Sequence, residues 1–125
     1  MKINIGINGF GRIGRAIFRL SFEDENSNFK IGAINTSRSP EYLAYLLKYD
    51  TVHGKFQGTV DFNEDTIIVN GQKVHILSYR DPSEIPWKEY NVKYVCECTG
   101  VFNTKEKAEK HLVKDYGADY VILSC

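Results

Sequence analysis

Apolar and polar positions alternate at the start of the chain, which predicts a short β-strand over residues 3–7. After a glycine cluster, the apolar spacing becomes that of an amphipathic α-helix from Arg12 to Phe22, and a second, mostly apolar strand is predicted from Phe29 to Asn35. Because a helix connects the two strands, we expect them to pair in parallel as a βαβ unit. In the helix we expect an apolar side formed by Ile13, Ala16, Ile17, Leu20 and Ser21, and a polar side formed by Arg12, Arg15 and Arg19.

The rest of the chain predicts further strands, a hairpin and two more helices. Ser39 and Pro40 are typical of a helix start, as the cap and the first helical residue. Strands are predicted at 56–62, 66–69 and 73–77, with Asn70-Gly71 as a hairpin turn, followed by a strand at 92–98, a helix at 105–113 and a strand at 118–123. This order predicts an α/β fold, in which a Rossmann-type parallel sheet carries helices on both faces and an antiparallel hairpin insertion.

Length and composition indicate one globular domain over residues 1–125. The chain is 42% hydrophobic and 26% charged, and no linker or repeat divides it. Sixteen basic residues balance sixteen acidic ones, which leaves no net charge to attract nucleic acid or an anionic membrane. No apolar run approaches the ~20 residues of a membrane span and the first residues lack a secretory signal, so we expect a cytoplasmic location.

The three cysteines predict neither a disulfide framework nor a metal site. An odd count favours reduced thiols, and Cys96 and Cys98 have no second cysteine pair that would complete a tetrahedral metal site. We therefore expect no bound metal and interpret this pair as packing residues. His53, His75 and His111 each have an ordinary structural explanation in a loop, a strand or a helix, so we expect none of them to be catalytic.

A glycine turn between the first strand and the first helix carries a strong chemical signal. Residues 9–14 are G-F-G-R-I-G, which satisfies G-x-G-x-x-G directly after a strand and at the start of a helix. Gly9 permits the tight turn, Gly11 lets a pyrophosphate approach the backbone, and Gly14 allows the helix to pack closely on the strand. The helix N-terminus adds free N–H groups and a positive dipole end for an anion. We therefore predict a dinucleotide site.

The end of the second predicted strand bears on the choice between NAD and NADP. A dinucleotide site usually has Asp or Glu there to bind the adenosine ribose, but this chain has Asn35-Thr36-Ser37-Arg38. Without a carboxylate to repel it, a 2′-phosphate could be bound by the two hydroxyls and Arg38. Alternatively, these residues simply end the strand and leave Arg38 in solvent. NAD is therefore the default cofactor, and NADP use is a hypothesis.

Four longer motifs occur in a specific order. They are N-G-F-G-R-I-G-R at 8–15, Y-L-L-K-Y-D-T-V-H-G-K-F at 45–56, R-D-P at 80–82 with P-W at 86–87, and C-T-G-V-F at 98–102. Over nearly the whole chain this order resembles the phosphorylating glyceraldehyde-3-phosphate dehydrogenase family, with erythrose-4-phosphate dehydrogenase as the nearest alternative. The resemblance implies a cytosolic glycolytic enzyme, normally a homotetramer, that oxidises an aldehyde, reduces NAD and forms an acyl phosphate.

The same resemblance implies which residues contact the dinucleotide. Arg12 and Ile13 correspond to backbone positions facing the pyrophosphate, and Arg80 to a residue near the adenine end. The ribose site would be flanked by Asn35 and Thr36, although Thr36 stands where the family generally has Asp. Thr99 and Gly100 correspond to positions beside the cofactor, and Ser124 to a serine near the nicotinamide side. The complete set of cofactor-binding candidates is Gly9, Phe10, Gly11, Arg12, Ile13, Asn35, Thr36, Arg80, Thr99, Gly100 and Ser124.

Catalytic residues of the family have no counterpart in this sequence. The family's nucleophile is the first cysteine of an S-C-T-T-N-C segment, activated by a downstream histidine, and residues 1–125 contain no such segment. Cys125 directly follows a predicted strand and Ser124, so we interpret it as non-catalytic. We expect a cofactor-binding domain that is truncated before its catalytic domain, inactive by itself, and that works with the remainder of the enzyme. The alternative is a stand-alone nucleotide-binding module without turnover.

Overall fold

The computed structural model describes residues 3–23, 28–48, 60–69, 71–98 and 109–123. Its strands are β1 (Ile3–Asn8), β2 (Phe29–Asn35), β3 (Val60–Phe62), β4 (Thr66–Val69), β5 (Gln72–Leu77), β6 (Tyr94–Glu97) and β7 (Tyr120–Leu123). Its helices are α1 (Arg12–Glu23) and α2 (Pro40–Lys48), with short 3₁₀ turns at Pro82–Glu84, Trp87–Tyr90 and Glu109–His111. Within these ranges, no helix has the length and apolar character needed to cross a membrane.

Within the described residues, seven strands form one sheet in the order β3-β4-β5-β2-β1-β6-β7. From β5 to β7 the neighbours in this order pair in parallel, which confirms the predicted βαβ unit. The chain passes from β1 through β2 to β5 on one side of β1, and then places β6 on the other side. The strand order therefore reverses between β1 and β6, which is where parallel α/β sheets bind their ligands.

The antiparallel part of the sheet is the predicted hairpin together with β3, which is the described end of the strand predicted at 56–62. Val69 of β4 pairs with Gln72 of β5, and Gly71 in the turn between them has a φ of 84°, a left-handed value that glycine adopts readily. β3 pairs with the outer side of β4, while β5 pairs in parallel with β2. The hairpin insertion is therefore continuous with the parallel sheet rather than a separate layer.

Two apolar clusters cover the two faces of the sheet. On one face, Phe18 of α1 and Leu43 of α2 pack in the same cluster as Ile34 of β2. The other cluster joins Trp87 to Ala33 of β2. Since Ala33 and Ile34 are consecutive strand residues, they point to opposite faces. In the described part of the chain, helical segments thus lie on both faces: the two α-helices on one, and the 3₁₀ turn at Trp87 on the other.

The predicted orientation of α1 is wrong at several positions. Ile13 and Leu20, expected on the apolar side, are 46% and 56% exposed, whereas Arg19, expected on the polar side, is 3% exposed. The buried side includes two small residues, Gly14 and Ser21. Ser21 is buried and Ile17 packs against the core, as predicted. Gly14 lets the helix lie close to the sheet but contributes nothing to an apolar periodicity, so the pattern of large apolar residues was wrong at the positions named above.

The described end of the predicted helix at 105–113 also differs from expectation. Glu109–His111 is a 3₁₀ turn, and the next two residues have no helical structure. The helix prediction is wrong at this end, because the N–H of Ala118 donates to the carbonyl oxygen of His111 at 2.8 Å and turns the chain back toward the sheet. For the same reason β7 begins at Tyr120 rather than at Ala118.

Candidate functional site

A cleft of about 610 Å³ opens at the carboxyl edge of the parallel strands. It is bordered by the segments that follow β1, β2, β5 and β6, and thus lies where the strand order reverses. Its described lining residues are Asn8, Gly9, Phe10, Gly11, Asn35, Thr36, Ser37, Arg38, Ser78, Tyr79, Arg80 and Cys98.

Three glycines shape the turn between β1 and α1. Gly9 has a φ of 94°, in the left-handed region, and its N–H donates to the carbonyl oxygen of Asn35 at 2.8 Å. A Cβ atom on Gly14 would lie 2.5 Å from the carbonyl oxygen of Gly9, so a larger residue would push helix and strand apart. A Cβ on Gly11, by contrast, would meet no heavy atom within 4 Å. The space beside Gly11 is therefore open for a ligand.

The amino end of α1 borders the same cleft. The carbonyl oxygen of Gly11 accepts the N–H of Arg15 at 2.9 Å, which makes Gly11 the residue that caps the helix. N–H groups in the first turn of a helix have no partner within it, and the first turn of α1 contains no acidic side chain. These N–H groups and the positive end of the helix dipole are suited to binding a diphosphate.

The charge of the cleft also suits an anionic ligand. Arg38 and Arg80 line it, and none of its described lining residues carries a carboxylate. At the end of β2, the hydroxyl oxygen of Thr36 accepts the backbone N–H of Arg38 at 3.3 Å, which leaves the Thr36 O–H as a donor. Hydroxyl and guanidinium donors therefore lie together at this wall of the cleft.

A buried polar chain crosses the sheet beneath the cleft. The Nδ2 of Asn35 donates to the Oδ1 of Asn8 at 2.8 Å, and the Nδ2 of Asn8 donates to the Oε2 of Glu97 at 2.8 Å. The Nε2 of His111 lies 2.6 Å from the same Glu97 oxygen, and the Nε1 of Trp87 donates to the Nδ1 of His111 at 3.2 Å. All five side chains are at most 5% exposed.

Sequence reasoning missed this buried polar chain. Glu97 lies on β6 and His111 on a 3₁₀ turn, and no local spacing pattern connects a strand residue to a residue on a later turn. It also missed Ser78 and Tyr79 in the cleft wall. Their signal was available, because they directly follow β5, and the carboxyl ends of parallel strands meet at one edge of a sheet.

The structure brings most of the described site candidates together. Gly9, Phe10, Gly11, Asn35, Thr36 and Arg80 line the cleft. Arg12 and Ile13 lie exposed in the first turn of α1, next to the lining residue Gly11. Thr99, Gly100 and Ser124 lie outside the described residues, as does Cys125. Contact of each of these residues with a dinucleotide stays a prediction.

Cys96 has the properties of a packing residue, whereas Cys98 is part-buried and lines the cleft. Burial raises the pKa of the Cys96 thiol from 9.0 to about 11, with the neighbouring Cys98 as a smaller cause. A thiol protonated at neutral pH is a poor nucleophile and a poor metal ligand. In the described ranges, no group of three or more His, Cys, Asp or Glu side chains is placed to hold a metal ion.

The sheet is mostly parallel, and its strand order reverses beside a glycine turn. A helix N-terminus and two arginines border the same cleft. Together these features define a dinucleotide-binding domain of the Rossmann type. A comparison with protein families gives the particular branch. The family model described as "Glyceraldehyde 3-phosphate dehydrogenase, NAD binding domain" matches residues 3–105. The chain belongs to this family.

Curated proteins with similar sequences carry matching names. The chain is 49% identical over 124 residues to "Glyceraldehyde-3-phosphate dehydrogenase 2" of Bacillus subtilis (strain 168), a match covering 99% of this chain and 35% of the relative. It is 45% identical over 124 residues to "Glyceraldehyde-3-phosphate dehydrogenase A" of Escherichia coli (strain K12), covering 99% of this chain and 36% of the relative. The chain thus spans about a third of the length of these relatives.

Proposed function

We propose that the cleft binds NAD, with the diphosphate against the glycine turn and the amino end of α1. The observation that carries this proposal is the open space beside Gly11, where a Cβ would touch no protein atom although the neighbouring Gly14 is tightly packed. Open space at the cap of a helix permits a diphosphate to reach the free N–H groups. The NAD-binding-domain family to which the chain belongs supports the same assignment.

The adenosine part of the dinucleotide is assigned to the wall formed after β2 and β5. Asn35 and Thr36 would flank the ribose, and Arg80 would lie near the adenine. All three line the cleft, and Asn35 bonds through both of its amide groups to the backbone of Tyr79, at 2.8 Å each. The wall is therefore a preformed surface joining two strand ends rather than two independent loops.

NADP is a second candidate ligand, favoured by the composition of the same wall. The described lining residues include Arg38 and no carboxylate that would repel a 2′-phosphate. The Thr36 and Ser37 hydroxyls lie at the same wall as Arg38 and would donate to the phosphate oxygens. We propose that the site accepts NADP as well as NAD.

In the whole protein, we propose that this domain serves the phosphorylating oxidation of an aldehyde to an acyl phosphate in glycolysis. NAD, when bound, accepts the hydride, and residues of this domain hold it in place. The relatives' names favour glyceraldehyde 3-phosphate over erythrose 4-phosphate as substrate. Because residues 1–125 contain no S-C-T-T-N-C segment, we propose that they bind the cofactor but do not turn over substrate. A cytoplasmic homotetramer stays a prediction for the whole protein.

Calorimetric titration of the chain with NAD and with NADP tests the proposal. We expect one NAD per chain and saturable NADP binding, and no formation of NADH when glyceraldehyde 3-phosphate and phosphate are added. If neither NAD nor NADP binds, the proposed site is wrong. Formation of NADH by this chain would overturn the proposal that residues 1–125 do not turn over substrate.

A further inference from the structure

We propose that Glu97 is a positioning residue for the dinucleotide site, an inference that rests on the proposed function. Its carboxylate, 1% exposed, lies outside the cleft lining and does not touch the cleft itself. It would act through the buried polar chain, by holding the Asn8 amide, and through it the Asn35 amide, in place beneath the cleft.

The buried polar chain reaches the segments that border the cleft. Asn8 is the last residue of β1, directly before the glycine turn, and its main-chain carbonyl oxygen accepts the backbone N–H of Cys98 at 2.8 Å. Asn35 is the last residue of β2, and its side chain holds the backbone of Tyr79 after β5. The Asn35 side chain therefore ties the segment after β2 to the segment after β5, while the segment after β6 is held by the main chain of Asn8.

The carboxylate is one of two groups that fix which way these amides face. A carboxylate only accepts hydrogen bonds, so Asn8 must turn its NH₂ group toward Glu97 and its carbonyl oxygen toward Asn35. Asn35 must then turn its own NH₂ toward Asn8, which leaves its carbonyl oxygen to accept the N–H of Tyr79. The backbone N–H and carbonyl oxygen of Tyr79 require the same orientation of the Asn35 amide, so Glu97 and Tyr79 hold the two amides from opposite ends of the chain.

Trp87 and His111 hold the carboxylate from the other side. The indole N–H of Trp87 can only donate, so the Nδ1 of His111 must accept and the ring proton must lie on Nε2. This proton is donated to the Oε2 of Glu97 at 2.6 Å, the same oxygen that Asn8 contacts. Asn8 and His111 therefore both donate to this oxygen and hold the carboxylate in a defined position.

The experiment compares NAD affinity by calorimetry in the unchanged chain, in Glu97→Gln and in a control, Val69→Ala. Gln has the shape of Glu but lacks the charge, and it carries an NH₂ group in place of one acceptor oxygen, so the hydrogen bonds that position 97 accepts from Asn8 and His111 are weakened. We expect Glu97→Gln to weaken NAD binding about tenfold at an unchanged stoichiometry. Val69 is fully buried in β4 and has no part in the buried polar chain.

Backbone N–H signals in ¹⁵N NMR spectra of the ligand-free variants give a second measurement. We expect Glu97→Gln to shift the signals of Gly9, Thr36 and Tyr79, and Val69→Ala to leave them in place while lowering thermal stability. If Glu97→Gln binds NAD as tightly as the unchanged chain does, Glu97 is not a positioning residue. The same holds if Val69→Ala loses as much NAD affinity as Glu97→Gln. Either result leaves the proposed function standing. Failure of the unchanged chain to bind NAD would overturn both.

Trp87→Phe extends the test should Glu97→Gln not fold. This variant keeps an aromatic ring and loses the donor to His111, so the imidazole is no longer held in one orientation. We expect NAD affinity to fall about threefold, with the same signals shifted. An unchanged affinity in this variant would overturn the inference.

Discussion

The guanidinium carbon of Arg38 lies 5.1 Å from the centre of the Tyr42 ring, a cation–π arrangement that holds this side chain beside the cleft it lines. We expect Arg38→Ala to lower NADP affinity about tenfold and to leave NAD affinity nearly unchanged, because only NADP carries the 2′-phosphate that the guanidinium would bind. Calorimetric titrations with both dinucleotides measure the difference. An equal loss of affinity for NAD and for NADP would show that Arg38 does not contact the 2′-phosphate.

A carboxylate at position 36 should reverse the proposed tolerance for NADP. We expect Thr36→Asp to weaken NADP binding by at least about tenfold, because the new charge repels the 2′-phosphate, while NAD gains an acceptor for its ribose hydroxyls. Asn63→Asp is the matched control, since it adds the same charge at an exposed residue outside the cleft lining. Competition titrations of the two dinucleotides report the ratio. A ratio unchanged from the parent chain contradicts the prediction.

Filling the open space beside Gly11 should separate binding from folding. We expect Gly11→Val to abolish measurable NAD binding while the chain still unfolds cooperatively, because the added side chain meets ligand space rather than protein atoms. Gly11→Ala is the graded control and should weaken binding less. Calorimetry and thermal unfolding measure the two properties. Unchanged affinity in Gly11→Val would exclude the glycine turn from the site.

The start of α2 should depend on one side-chain hydrogen bond. The Oγ of Ser39 accepts the N–H of Tyr42 at 3.2 Å, which confirms the predicted cap. We expect Ser39→Ala to lower the free energy of unfolding by about 1 kcal/mol, and Ser39→Asp, which keeps an acceptor, to lower it less. Denaturant unfolding measures both variants. Equal losses in the two would show that the side-chain acceptor is unimportant.

The buried thiol of Cys96 should stay protonated and unreactive in the folded chain. Its pKa rises from 9.0 to about 11 on burial, so its contribution to stability is fully present below pH 9.0 and is lost as pH rises toward 11. We expect Cys96 to resist iodoacetamide at pH 8 until the chain is unfolded, as followed by mass spectrometry. The decline in unfolding free energy between these pH values should be smaller in Cys96→Ala. Equally rapid alkylation of Cys96 in folded and unfolded chain would contradict the assignment.

Local sequence predicted the elements well wherever neighbouring residues decide the structure. The glycine turn, the cap at Ser39 and the hairpin turn at Gly71 each depend on backbone conformations and hydrogen bonds within a few residues. The parallel pairing of β1 and β2 followed from the helical connection between them. Prediction was weaker for α1, because the side of a helix that is buried depends on what it packs against.

The sequence by itself determined the family, the strand–turn–helix unit and the residues that border the cleft at the ends of β1 and β2, because these depend on motifs and short-range geometry. Only the tertiary structure decided that Glu97 meets Asn8 and His111 beneath that cleft. Asn8 and Glu97 are 89 positions apart, and they are brought together by the pairing of β1 with β6. Strand order is a property of the whole sheet, so no local pattern specifies such a contact.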